Sequence, residues 1–122
     1  MSTHCGIAAK AGETYITIYC HNDGYPSYML PMLQENYNSA ELANKLVSLG
    51  DASYIEKKLE PTPHSNHKFG TPEPEVSVFY HRDRREDWHH CQPACYTKNE
   101  LLRQDFEYIY VFEDGTGWKQ MR

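Results

Sequence analysis

The sequence predicts an α+β domain: a largely antiparallel sheet with hairpins at both ends of the chain and two to three helices packed on one face. Three observations predict it: β-rich runs joined by short turns at either end, capped helical segments between them, and the resulting order β-β-α-α-β-α-β-β. No internal repeat or linker interrupts the 122 residues, so one domain over 1–122 is expected.

The elements follow in order. Residues 4–9 and 14–20 read as strands joined by Lys10-Ala11-Gly12-Glu13, a Gly-containing turn. Asn22-Asp23-Gly24-Tyr25-Pro26-Ser27 is dense in turn formers, with Gly24 expected at positive φ. Leu30, Leu33 and Tyr37 then recur at helical spacing, with Ser27 as cap and Pro31 within the first turn. A second helix opens with Asn38 as cap and Glu41 three residues on, sets Leu42, Leu46 and Leu49 on one face, and stops at Gly50. Residues 51–60 fit neither period, and 61–74, with four prolines, Gly70, His64 and His67, read as an exposed connection. Residues 75–80 alternate as a strand. Thr97 and Glu100 form a capping box for a short helix through Gln104, and Phe106 to Phe112 is a strand that turns at Asp114-Gly115 so that Trp118 pairs back.

Leu, Ile, Val and Phe supply only 21 of the 122 residues, and ten tyrosines make up the deficit. Tyr buries a ring while its hydroxyl needs a partner, so ring-rich, half-wet surfaces are expected. No apolar run approaches transmembrane length and the first 15 residues lack a signal-peptide pattern, so a soluble, cytoplasmic protein is expected. Twelve basic against 17 acidic side chains give a net charge of −5, which disfavours duplex nucleic acid as a partner. Without a secretory signal, the four cysteines are expected as thiols.

Strand parity sets Tyr15, Thr17, Tyr19 and His21 on one face and Ile16, Ile18 and Cys20 on the other. In the last long strand Phe106, Tyr108, Tyr110 and Phe112 share a face opposite Ile109 and Val111. If the aliphatic sides pack under the helices, the tyrosines form a ring-lined sheet surface. A third strand running on to Arg84 would add Tyr80, Arg82 and Arg84 to its edge. That surface fits either a homo-oligomer seam or a pocket for a planar anion, and the two are compatible.

Three polar constellations stand out. Tyr80 to Trp88 holds three of the five arginines, flanked by rings able to stack. Its alternative reading is a solvated strip, since Asp83, Glu86 and Asp87 balance the charge. Cys20 to Pro26 joins a strand to a helix N-terminus that can face an anion, or is simply an Asx-turn closed by Asp23. His89, His90, Cys91 and Cys95, with Cys5 and Cys20, could be assembled into a zinc site, but the single C-x3-C spacing is a soft signal and no metal or cofactor is expected. No phosphate-loop, dinucleotide or nucleophile-elbow motif occurs.

Taken together, Met1 to Ala8, Cys20 to Pro26, Glu35 to Tyr37, Leu46 to Asp51, Arg82 to Glu86 and Glu107 to Gly115 resemble a group of small phage and prophage proteins sharing Cys-His-x-Asp-Gly-Tyr-Pro, Arg-Asp-Arg-x-Glu and Glu-Tyr-x-Tyr-x-Phe-x-Asp-Gly motifs. The chain departs from that group at Asn22 and Arg85, where relatives often carry an aromatic and Gly respectively. By analogy of class, the resemblance implies a phage anti-defence protein in the bacterial host cytoplasm. The expected function is non-catalytic capture of a nucleotide-derived immune signal, of cyclic nucleotide or cyclic ADP-ribose type as in sponges against Thoeris systems, by a homo-oligomer. Ligand-binding residues would be Tyr19, His21, Asp23, Tyr80, Arg82, Arg84, Trp88 and Tyr108. The alternatives are an anti-CRISPR-like inhibitor of a defence nuclease complex and a metal-dependent enzyme built on His21, Asp23 and the His/Cys cluster.

Overall fold

The computed structural model describes residues 3–122, so Met1 and Ser2 of the opening motif lie outside the described residues. The N-terminal hairpin forms as the alternation predicts, β1 (Cys5–Ala11) pairing antiparallel with β2 (Thr14–Cys20) through a turn in which Gly12 takes φ +64°. Helix α1 (Pro26–Asn36) starts two residues earlier than expected: Tyr25, not Ser27, is the cap and Pro26 opens it, because Pro is preorganised for the first helical position. Pro31 therefore sits inside the helix and deprives Ser27 of its carbonyl's helical partner. In α2 (Ala40–Ser48) the cap is Ser39 rather than Asn38, its hydroxyl accepting the Leu42 N–H at 3.1 Å.

After the Gly50 turn come β3 (Ala52–Tyr54) and β4 (Val78–Phe79), which pair antiparallel. The expected continuation of this strand through Arg84 does not occur. At Tyr80 the chain turns into helix α3 (Tyr80–Arg84), followed by α4 (Trp88–Cys91). Strand β5 (Ala94–Thr97) was not visible in the sequence periodicity. Helix α5 (Lys98–Leu102) begins at the Thr97/Glu100 capping box as predicted, and β6 (Tyr108–Glu113) and β7 (Gly117–Gln120) close the chain as an antiparallel hairpin.

The sheet runs β4-β3-β2-β1-β6-β7, with β5 also on β2. Pairing is mixed: the central β1–β6 contact is parallel, as is the single rung joining Cys20 of β2 to Ala52 of β3, and the other pairings are antiparallel. Two strands share the outer edge of β2. β5 pairs Thr14 to Thr17 and β3 takes over at Cys20, which leaves a seam at Tyr19.

The main core lies between the sheet and α1 and α2, with Ile7, Ile18, Cys20, Leu33, Leu46, Tyr110 and Phe112 in it. This corrects the parity argument for the last strand. The aromatic side of β6, not the aliphatic one, packs under the helices, because the register sets Tyr108 beside Cys5 and Tyr110 beside Ile7. Ile109 and Val111 face a smaller second core with Ala8, Tyr15 and Leu101, so α5 covers the opposite face of the sheet. Tyr15, Tyr37 and Tyr110 are thus core residues, and several of the ring hydroxyls are satisfied by backbone carbonyls. Tyr110 donates to the Gly24 carbonyl at 2.7 Å, Tyr28 to Ile55 at 2.7 Å, and Tyr37 to Glu56. Among the described residues no buried side-chain nitrogen or oxygen lacks a partner.

Candidate anion-binding cleft

Helix α3 and the proline-rich connection build a cleft, and a buried polar knot holds them together. Asp83 accepts the Phe79 N–H at 2.8 Å. Arg82 grips both Asp83 oxygens at 2.9 and 3.0 Å and donates to the Leu59 and Ser77 carbonyls at 2.6 and 3.0 Å. His67, its side chain only 1% exposed, sets Nε2 3.1 Å from the Ser77 carbonyl and 3.4 Å from Asp83. Its Nδ1 accepts the Glu73 N–H at 2.9 Å, so the ring is neutral with its proton on Nε2. A long connection that reads as structureless is thereby latched at its middle by one histidine.

The Phe69 N–H then bonds the Asp83 carbonyl at 3.2 Å and lays the tip of the connection along α3. Arg84 lies between two rings, its guanidinium carbon 4.6 Å from the Phe69 centroid and 4.5 Å from that of Tyr80. Tyr80 and Arg84 meet because four residues in a helical turn share a face, whereas strand parity was expected to align them. Arg84 also donates to Ser53 Oγ at 3.1 Å and pairs with Glu86 at 3.1 Å.

The resulting cleft of about 620 Å³ is lined by the 66–70 stretch and 82–86. Its four cations, Lys68, Arg82, Arg84 and Arg85, face two carboxylates, Asp83 and Glu86, in a chain of net charge −5. Arg82 is spent on the knot. Among the described residues, the Lys68 and Arg85 side chains make no hydrogen bond or ion pair. Arg85 also holds φ +59°, a left-handed conformation that glycine adopts freely and an L side chain pays about 1 kcal/mol to take.

The other expected site residues lie as follows. Tyr19 and His21 are joined, hydroxyl to Nδ1, at 2.6 Å, on an open sheet face where His4 and Phe106 stack near Tyr19 at 5.8 and 6.5 Å. Gly6 permits this, since a Cβ there would come within 2.7 Å of Phe106. Burial, with Tyr19 nearby, pushes the Tyr80 phenol up to about 12. At the seam in the β2 edge, Asp51 accepts the Tyr19 N–H at 2.8 Å, and burial pushes its carboxyl up to about 6.

Tyr108 departs from the expected arrangement, since it lies on the helix-covered face and shares no surface with Tyr19. Trp88 packs edge-on against His81 at 5.1 Å, away from the cleft lining. Asp23 takes φ +58°, the positive value expected of Gly24. Gly24 instead admits close approach, a Cβ there falling 2.8 Å from that of Cys5. Asp23 lines a separate groove of about 350 Å³ with Glu56, Glu73 and Glu75, whose charge repels an anion.

The cleft residues missed in sequence were His67, Lys68 and Phe69. The one available signal was a Lys-Phe-Gly stretch inside an otherwise polar connection.

No group of three or more His, Cys, Asp and Glu side chains among the described residues is arranged to hold a metal ion. Cys5 and Cys20 are buried opposite one another, and the Cys5 thiol is pushed up by its hydrogen bond to Cys20 and by burial, while Cys95 is exposed. Nor is any described helix long and apolar enough to cross a membrane. No family model, curated protein or solved structure matches the chain.

Proposed function

We propose that the protein captures a nucleotide-like anion without transforming it, in the cleft between the 66–70 stretch and α3. The observation that carries this reading is the pair of unengaged cations, Lys68 and Arg85, beside a ring-clamped arginine in a cleft of about 620 Å³ on an acidic protein. Guanidinium forks suit phosphate oxygens, and the Phe69 ring, 53% exposed, offers a surface for a base. The polar groups nearest the cleft are engaged in holding structure, as a binder requires: Asp83 and His67 are buried in the knot. The resemblance in sequence supplies the biological role, a phage anti-defence sponge for a nucleotide-derived immune signal, acting as a homo-oligomer in the bacterial host cell.

The test is a melting-temperature screen against cyclic dinucleotides, cyclic ADP-ribose and ADP-ribose. A ligand at 100 times its Kd adds about 2.7 kcal/mol of stability. The reading expects a shift with at least one ligand, recovery of that ligand chemically intact after denaturing the protein, and loss of the shift in the Lys68→Ala, Arg84→Ala double variant. No shift with any ligand, or an equal shift in the double variant, refutes it.

A further inference from the structure

We infer that the cleft selects ligands carrying two phosphate groups, with Arg85 and Lys68 holding the distal one. This rests on the capture reading above and adds the ligand class.

The cations divide by how they are held. Arg84 is fixed by Phe69, Tyr80, Ser53 and Glu86, so its guanidinium is preorganised beside the exposed ring. A phosphate attached to a base stacked on Phe69 meets this fork, and Glu86 is the one competing partner that must yield. Lys68 and Arg85 are additional. They come from the two opposite walls, tied across by the Phe69 N–H to Asp83 carbonyl bond, and no described carboxylate neutralises either. Both are exposed and line the same cleft as Arg84, so each is free to add a charge-assisted contact to an anion held there. One phosphate paired with Arg84 leaves both cations unused, and a second phosphate engages them.

The backbone agrees. Arg85 closes α3 in a left-handed conformation that glycine would adopt without strain, so its side chain stands where the backbone alone favours glycine. A cleft of about 620 Å³ is within the usual range for small-molecule sites, with space for a nucleoside diphosphate.

Calorimetric titration of the full chain with AMP, ADP and inorganic pyrophosphate tests this, with Arg85→Gly and Lys68→Gln variants. Wild type is expected to bind ADP at least about tenfold more tightly than AMP. Because Arg85→Gly relieves strain, it should not lower the ligand-free Tm, and it should bring the ADP-to-AMP preference below about threefold, as should Lys68→Gln in its exposed loop. Equal affinity of wild type for AMP and ADP, or a preference that survives both substitutions, overturns the inference and leaves the capture reading standing. No binding of AMP, ADP or pyrophosphate at millimolar concentration overturns the inference, and the capture reading falls with it only if the melting-temperature screen also shows no shift.

Discussion

Asp51→Asn should stabilise the protein at neutral pH. Asp51 sits where β3 and β5 leave a seam on β2, and its carboxylate is the acceptor for the Tyr19 N–H. Burial raises its carboxyl from 3.8 to about 6, against the lowering effect of that hydrogen bond. A raised carboxyl means the folded state holds the proton more tightly than the unfolded chain. Its contribution is therefore full below about pH 4 and is lost as pH rises through 6. Fully insulated, the shift would correspond to about 3 kcal/mol, and the solvent that still reaches the group reduces this to about 1.5 kcal/mol. Asn keeps an oxygen for the Tyr19 N–H and carries no charge to desolvate. At pH 7.5 the variant should melt about 5 °C above wild type, with the two curves converging near pH 4. Thermal unfolding by circular dichroism from pH 4 to 8 measures the difference directly. A gap that is constant across this range, or a variant less stable at pH 7.5, would refute the assignment of Asp51 as a charge buried at a cost.

Three further outcomes follow. His67→Ala should cost about 1–3 kcal/mol by orphaning the Glu73 N–H and one face of Asp83, and limited proteolysis should then cut within 61–75 where wild type resists. Gly6→Ala should displace Phe106 from the sheet, since its Cβ would stand 2.7 Å from the ring; destabilisation of about 1–3 kcal/mol in urea unfolding is expected, and an unchanged midpoint would contradict the packing. Thr97→Ala should lose about 1 kcal/mol, because the capping box holds the start of a five-residue helix with little else to define it, and Thr97→Ser should restore most of it.

The parts of the fold legible in sequence were those whose signals are local. Both hairpins, α2 and the Thr97 box announced themselves through alternation, spacing or a cap. The third strand failed at Tyr80 because its arginine-rich continuation satisfies helical and extended patterns alike, and the Asp83 carboxylate folding back on the Phe79 N–H decided the matter. Parity correctly separated Tyr108 from Ile109, but which side faces the helices is set by register against β1, a partner about a hundred residues away, so Tyr108 and Tyr19 ended on opposite faces. At the cleft, Arg84 and the Tyr80 ring it packs on were visible as part of an unusual cluster. His67 was not, because a histidine among prolines carries no mark of being a latch until Ser77, Glu73 and Asp83 surround it.

The parallel contact of β1 with β6 governs how the chain reaches its native state. Cys5 to Ala9 meet Tyr108 to Phe112, so the middle of the sheet is completed by segments that emerge from the ribosome far apart in time. Until residue 112 is synthesised, the N-terminal hairpin presents one flank of unanswered amides and an apolar underside. Closure of a loop of this length makes folding slow relative to helical domains of equal size.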